Sequence, residues 1–293
     1  MKNYRELQQL LLSIDGRGYS AYKGLRGEYD FGKYILSIDH IQSDPFAPPS
    51  KARIILSKKE AGFPEKFLDS KYKITAVSDF LTRTFSHSIK NFNGTPNTKK
   101  LSTFLSIDTC GQEMLERTSI VVNHDNIEAR FEVELPASGR RIRGKSAAGI
   151  FSDVLPKIVN SSLLFKNIDK FKLKKQVELI LDQEYIRQQL NERKLAAFIA
   201  NGSILPRENG ISDRPLRDES AVPFSSPKSL EIELSLPNHG SIRGMGIPEG
   251  ITLIVGGGYH GKSTLLKSLE LGIYNHIPDD GPEYVMTRRD AVK

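Results

Sequence analysis

Ile251-Thr252-Leu253-Ile254-Val255-Gly256-Gly257-Gly258-Tyr259-His260-Gly261-Lys262-Ser263-Thr264-Leu265-Leu266 decides how the second half of this chain is read. Gly256, Gly261, Lys262 and Ser263 meet the spacing G-x-x-x-x-G-K-[ST] of a phosphate-binding loop. The five residues before the loop are apolar and β-rich, as a buried parallel strand is. Residues 263–271 carry apolar side chains at 265, 266 and 269, the spacing of a helix. Strand, glycine loop and helix in that order is the context the motif requires.

The chemistry follows from the backbone. Glycines at 256, 257, 258 and 261 let successive N–H groups turn inward without Cβ clashes, which makes an anion nest at a helix N-terminus. In that geometry Lys262 reaches the β- and γ-phosphates of ATP, the Ser263 hydroxyl ligates Mg²⁺, and Thr264 supports the α-phosphate through its N–H. The alternative is a flexible glycine turn before a helix.

Downstream the expectations change. A P-loop ATPase also needs an acidic strand end that holds Mg²⁺ and polarises water. Residues 276–293 contain Asp279, Asp280, Glu283 and Asp290, but no apolar run ending in a carboxylate pair. Val177-Glu178-Leu179-Ile180-Leu181-Asp182-Gln183-Glu184 imitates one, yet its period is helical. The chain therefore reads as stopping inside its catalytic domain, with apolar surface exposed at Leu253, Val255 and Leu269.

Upstream of the loop, residues 230–236 alternate as a strand, Asn238 and Gly240 mark a turn, and residues 245–250 lead into the P-loop strand. Residues 202–229 are a polar connector. Residues 161–201 read as helical, closed by Asn201-Gly202 as a C-cap, with Lys170, Lys172, Lys174 and Lys175 crowding the start.

Residues 1–160 read as a mixed α/β domain. Residues 4–11 form an amphipathic helix, residues 34–41 and 52–56 form strands, and a helix begins at Asp79 with Ser78 or Asp79 as its cap. Residues 127–135 alternate strictly, and Pro136-Ala137-Ser138-Gly139 supplies a turn into Arg140-Arg141-Ile142-Arg143-Gly144-Lys145, a hairpin signal. Arg140, Arg141, Arg143 and Lys145 are the candidate nucleic-acid contacts, the last three as a comb on one face of the return strand. An exposed edge strand kept soluble by its charge is the other reading. Asp39, His40, Gln42, Asp44 and Arg117 carry no chemistry by spacing, and adjacency on a strand turns Asp39 and His40 to opposite faces.

Charge is uneven. Residues 1–160 hold 24 Lys and Arg against 18 Asp and Glu, whereas residues 161–293 hold 18 against 17. The excess lies away from the P-loop and suits either a merely solvated surface or an anionic partner, with nucleic acid (RNA) the leading candidate. The chain has no apolar stretch of membrane-spanning length and no signal-peptide layout. Its one cysteine, Cys110, excludes an internal disulfide framework, so a cytoplasmic location is expected.

These residues carry a family resemblance. Gly244 through Leu266, with Tyr274-Asn275-His276-Ile277-Pro278 and Asp280-Gly281, resembles the predicted ATPases of the ABC class, which lack membrane domains. The Tyr-His pair inside the loop looks typical of that family. Gly16-Arg17-Gly18-Tyr19-Ser20-Ala21-Tyr22-Lys23, Asp39-His40-Ile41-Gln42, Asp44-Pro45-Phe46, Gly111 to Thr118 and Val177 to Pro206 look similar as well. The resemblance implies an α/β fold: an N-terminal basic α/β accessory domain at 1–160 and the first part of an ABC-type nucleotide-binding domain at 161–293. It implies ATP and Mg²⁺ as ligands and Gly256, Gly258, Gly261, Lys262, Ser263 and Thr264 as contacts. It also implies a homodimer, because the family completes each site with a signature loop from the opposite subunit. That loop and the acidic strand are missing from this sequence, so hydrolysis is expected only of a complete domain. A nucleic-acid-binding module with a non-catalytic P-loop is the alternative.

Overall fold

The structure is a computed structural model that describes residues 1–218 and 220–291. Its contacts divide the chain into two compact units. The first comprises residues 1–69, 77–109 and 116–170, and the second residues 70–76, 110–115 and 171–293. Both are α/β, as the sequence leads one to expect.

The first unit is built on a seven-stranded sheet. Its order is Lys2–Asn3, Gly27–Asp30, Ile35–His40, Ser50–Ser57, Asn126–Val133 and Leu105–Ser106, with Ile120–Val122 also paired to Asn126–Val133. All pairings are antiparallel except the first, which is parallel. Alternation along Ser50–Ser57 buries Ala52, Ile54 and Leu56 on one face and leaves Lys51 and Arg53 on the other. Helix Tyr4–Ser13 begins with a capping box, in which Asn3 accepts from Glu6 N and Glu6 accepts from Asn3 N.

Two expectations for this unit are corrected. The helix starts at Lys71, not Asp79, and runs to Lys90. Ser78 and Asp79 lie inside it, where the Ser78 hydroxyl donates to Ile120 O and Asp79 pairs with Arg83 one turn on at 2.7 Å. The start is marked instead by Ser70, whose hydroxyl accepts from Lys73 N. The second correction concerns the hairpin. Asn126–Val133 pairs with Ser50–Ser57 along its whole length, and residues 140–145 do not return along it. Only Ala137–Ser138 and Arg141–Ile142 pair, and the chain then enters the helix Gly144–Gly149. The alternating strand finds long-range apolar partners that outcompete the local turn.

The second unit centres on a four-stranded antiparallel sheet ordered Glu231–Leu236, Gly240–Pro248, Leu195–Ala200, Val285–Thr287. On one face Phe198, Ala200, Leu234, Leu236 and Met286 pack with Ile186 and Leu190 of the long helix Lys170–Glu192. On the other, Ala197, Ile199, Met245, Ile247 and Val285 pack with Leu265 and Leu269. The helical reading of residues 195–201 is therefore overturned. Leu195–Ala200 is a strand buried on both faces, so its sequence is a continuous apolar run without the alternation that identifies a strand. The helix ends at Glu192, and Lys194 at φ +54° turns the chain. Asn201-Gly202 is the turn after the strand, not a helix cap. The helical reading of residues 177–184 stands.

Residues 251–255 depart from the expected P-loop strand. They form no strand, and Ile251, Leu253 and Val255 are largely exposed. They pair with neither edge strand of the neighbouring antiparallel sheet, Glu231–Leu236 or Val285–Thr287. Of the surface expected to be exposed, Leu253 and Val255 are so, whereas Leu269 is half-buried against the sheet.

Candidate functional site

The glycine loop runs from Gly256 into the helix Lys262–Leu271. Gly256 at φ +152°, Tyr259 at +61° and Gly261 at +76° take backbone conformations that reverse the chain. Gly261 is the N-cap residue, and its left-handed backbone suits glycine. Tyr259 adopts the same region despite its side chain, which is fully exposed. The His260 ring lies against Gly257, where a Cβ would crowd the imidazole.

Lys262 folds back over this loop. Its amine donates to Gly256 O at 2.7 Å and to Gly257 O. The cation thus sits within the turn, beside the N-terminal end of the helix, whose first N–H groups have no intrahelical acceptor. A cation, a glycine-rich backbone and an open helix N-terminus match the donor set a polyphosphate needs. Ser263 is exposed and Thr264 half-buried at the same end. The structure thus brings Gly256, Gly258, Gly261, Lys262, Ser263 and Thr264 into one turn.

The far end of the P-loop helix is anchored by residues to which sequence reading assigned no role. His276, in the short strand Asn275–His276, puts Nε2 at 3.2 Å from Leu271 O and Nδ1 at 2.7 Å from Asp280 Oδ2. Arg207 completes the group with a fork onto Asp280 at 2.6 and 3.1 Å. Burial by itself would raise the Asp280 pKa, but hydrogen bonds and charge from His276 and Arg207 outweigh it and hold the carboxyl below its ordinary range. Arg187 does related work from the long helix. It donates to Gly272 O, Ile273 O and Asn275 Oδ1 and pairs with Glu184 at 2.5 Å. The one sequence signal was the four-residue spacing of His276 and Asp280. Nothing marked Arg207, some seventy residues earlier in the chain, as their partner.

In the first unit Arg140, Arg141, Arg143 and Lys145 are all exposed. They do not form a comb on one strand. Arg141 bridges Gly18, Arg143 N donates to Pro136 O at 3.0 Å, and Lys145 lies in the helix Gly144–Gly149. They remain one cationic segment, held by backbone contacts to residues 16–19.

Asp39 and His40 do not face apart. The register between Ile35–His40 and Ser50–Ser57 shifts between Ile38 and His40, and this bulge turns both side chains into one cleft of about 830 Å³ on the solvent side of the sheet. There Asp39 accepts from Arg53 at 2.7 and 3.0 Å and from Ser37 at 2.8 Å. Burial opposes its ionisation, but these bonds and the Arg53 charge outweigh it and keep its pKa low. Gln42 and Asp44 organise the following loop through hydrogen bonds, and Arg117 is half-buried.

Among the described residues no helix is long and apolar enough to cross a membrane, and no group of three or more His, Cys, Asp or Glu is arranged to hold a metal ion. Similarity to known proteins runs the length of the chain. Residues 4–166 match the family model described as the N-terminal region of ATPases of the ABC class, and residues 169–293 match the P-loop domain of ABC ATPases. An uncharacterized protein of Methanocaldococcus jannaschii, MJ1628, is 33% identical over 143 residues. That match takes in 44% of this chain and 32% of the relative, so the chain spans about a third of the relative's length. With the N-terminal family match alone covering more than half of its residues, this chain belongs to the ATPases of the ABC class.

Proposed function

We propose that residues 256–264 bind the phosphates of ATP together with Mg²⁺. The observation that carries this reading is Lys262, whose amine turns back onto the carbonyl oxygens of Gly256 and Gly257 at the mouth of a helix N-terminus. Phosphate oxygens would take over that amine and receive the loop and helix N–H groups. Gly256, Gly258 and Gly261 bring no side chain of their own against the phosphates, Ser263 supplies the hydroxyl ligand to Mg²⁺, and Thr264 supports the α-phosphate. Hydrolysis is assigned to a complete domain in a homodimer, where a carboxylate to organise Mg²⁺ and water and a signature loop join the phosphate site. A cytoplasmic location accords with the single cysteine.

Calorimetry of Mg²⁺–ATP on this chain, with Lys262→Ala alongside, tests the reading. Binding by the parent chain that is lost in the variant supports it. Equal binding by both would mean that the nucleotide sits elsewhere, and no binding by either would mean that residues 251–255 need further pairing before the loop can hold phosphate.

A second reading is favoured by the exposure of all four cations at Arg140, Arg141, Arg143 and Lys145. It assigns nucleic-acid binding, RNA foremost, to the N-terminal unit, either driven by the ATPase or independent of a non-catalytic P-loop. Salt-dependent RNA binding without nucleotide would favour the independent form.

A further inference from the structure

The loop joining Ile35–His40 to Ser50–Ser57 displays Phe46 at its tip, 87% exposed. The backbone beneath it is held firmly. Phe46 N donates to Asp44 Oδ1 at 2.7 Å, and Ala47 N donates to Asp44 O at 3.1 Å. Buried Gln42 ties the loop down, donating from its N–H to Ser50 Oγ and from Nε2 to Ala47 O, both at 2.9 Å. Pro45, Pro48 and Pro49 restrict the remaining torsions. An aromatic ring held out in water adds nothing to the core, and its backbone is already ordered when a partner arrives, so only the side-chain torsions remain to be fixed.

Hydrogen bonds lead from this loop to the cationic segment. Gln42 Oε1 accepts from Leu135 N at 3.2 Å, Leu135 O accepts from the Tyr19 hydroxyl at 3.2 Å, and Tyr19 N donates to Arg140 O at 3.0 Å. Beyond Arg140 stand Arg141, Arg143 and Lys145, with Arg17 beside them through a 2.9 Å bond from Ile142 N to Arg17 O. Three carboxylates share the area. Asp15 accepts from Lys145 N and Asp44 from Phe46 N, and Glu134 lies near Tyr19, so the five cations outnumber the carboxylates around them.

We propose that this surface binds single-stranded nucleic acid, with one unpaired base stacked on Phe46 and the neighbouring phosphates on Arg140, Arg141, Arg143 and Lys145. The proposal rests on the nucleic-acid reading of the N-terminal unit and adds to it a base-stacking residue and a preference for unpaired strands. Charge complementarity selects a polyanion, and an exposed ring selects one whose bases are free, since a duplex conceals their faces. RNA and single-stranded DNA offer the same ring faces and phosphates, so both are within the recognised chemistry.

Fluorescence anisotropy with labelled rU20, dT20 and an RNA duplex of the same length tests it at two salt concentrations. The full chain is compared with Phe46→Ala, Phe46→Trp and the double variant Arg141→Gln/Arg143→Gln. Both single strands are expected to bind more tightly than the duplex. Phe46→Ala weakens single-strand binding roughly tenfold with the salt slope unchanged, and Phe46→Trp restores it. The double arginine variant lowers the slope of log affinity against log salt by about 1.4. Unfolding curves matching the parent chain are expected for the Phe46 variants, because the ring is outside the core. Single-strand binding that is indifferent to Phe46→Ala but sensitive to the arginine variant overturns the stacking role and leaves the nucleic-acid reading standing. Tighter binding of the duplex overturns the single-strand preference, and no binding of any probe overturns both readings.

Discussion

His276 Nδ1 lies 2.7 Å from Asp280 Oδ2, and both side chains are almost wholly excluded from solvent. The ring's other nitrogen faces the carbonyl of Leu271, the last residue of the helix Lys262–Leu271, so a helix that starts at the glycine loop ends on a buried ion-pair group. Arg207 closes that group from the other side of Asp280.

Asp280→Ala leaves Arg207 and His276 without their anion and is expected to cost about 3 kcal/mol, read as a lowered urea midpoint. The pH dependence has a definite sign. The folded carboxyl titrates below its ordinary value of 3.8, so its contribution is complete above that value and disappears as pH falls through the lower folded one. Asp280→Asn should flatten this acid limb. An unaltered limb in the variant would assign acid unfolding to other carboxylates.

Asp182 has the opposite sign. Its Oδ1 accepts from Asn238 N at 2.9 Å and Nδ2 at 3.0 Å, while buried Oδ2 has no partner. Burial raises its pKa, with the Asn238 bonds and His239 acting against that and Glu178 adding to it. Its contribution is therefore complete below the ordinary value of 3.8 and declines as pH rises through the higher folded value. Asp182→Asn should stabilise the chain at neutral pH by about 1 kcal/mol. Thermal unfolding at pH 7 should show a higher midpoint, and a lower one would mean that the carboxylate is needed in its charged form.

Arg187, only 6% exposed, is held by Glu184 and by carbonyl groups at the end of the P-loop helix. Arg187→Met keeps much of the stem's packing but leaves Glu184 with only the half-exposed Arg289 at 2.8 Å as a charge partner, beside the Asn275 amide at 2.7 Å. A loss of about 3 kcal/mol is expected, together with faster hydrogen exchange at Gly272 and Ile273. Unchanged exchange there would separate Arg187 from the anchoring of that helix.

Gly244 sits where Gly240–Pro248 pairs with Leu195–Ala200, and a Cβ there would drive into Ile199 O. Gly244→Ala should cost about 2 kcal/mol or more, since the obstacle is ladder backbone, not a side chain that can swing away. A variant with the parent midpoint would show that the strands can separate slightly without loss.

The glycine loop was legible because its pattern is local. Gly256, Gly261, Lys262 and Ser263 are neighbours in sequence, and the loop closes on itself. The strand at 231–236 was legible through alternation, since one of its faces is more buried than the other, and those at 35–40 and 50–57 through their β-rich apolar residues. Leu195–Ala200 was not, because burial on both faces erases the period that separates strand from helix. Asp39 and His40 were set apart by strand periodicity and joined by a bulge, a register irregularity with no signature in the residues themselves.

The sequence by itself determined the glycine loop, the helix that follows it, the cationic segment and the α/β class, because each depends on residues within a few turns of one another. Tertiary structure alone decided that Arg207 meets His276 and Asp280, that the alternating strand at 126–133 pairs with 50–57 in place of a local hairpin, and that residues 251–255 stand outside the described sheets. A strand exists only through hydrogen bonds to its neighbours, and a buried charge is tolerated only beside a partner. Both conditions are met by residues far away in the chain.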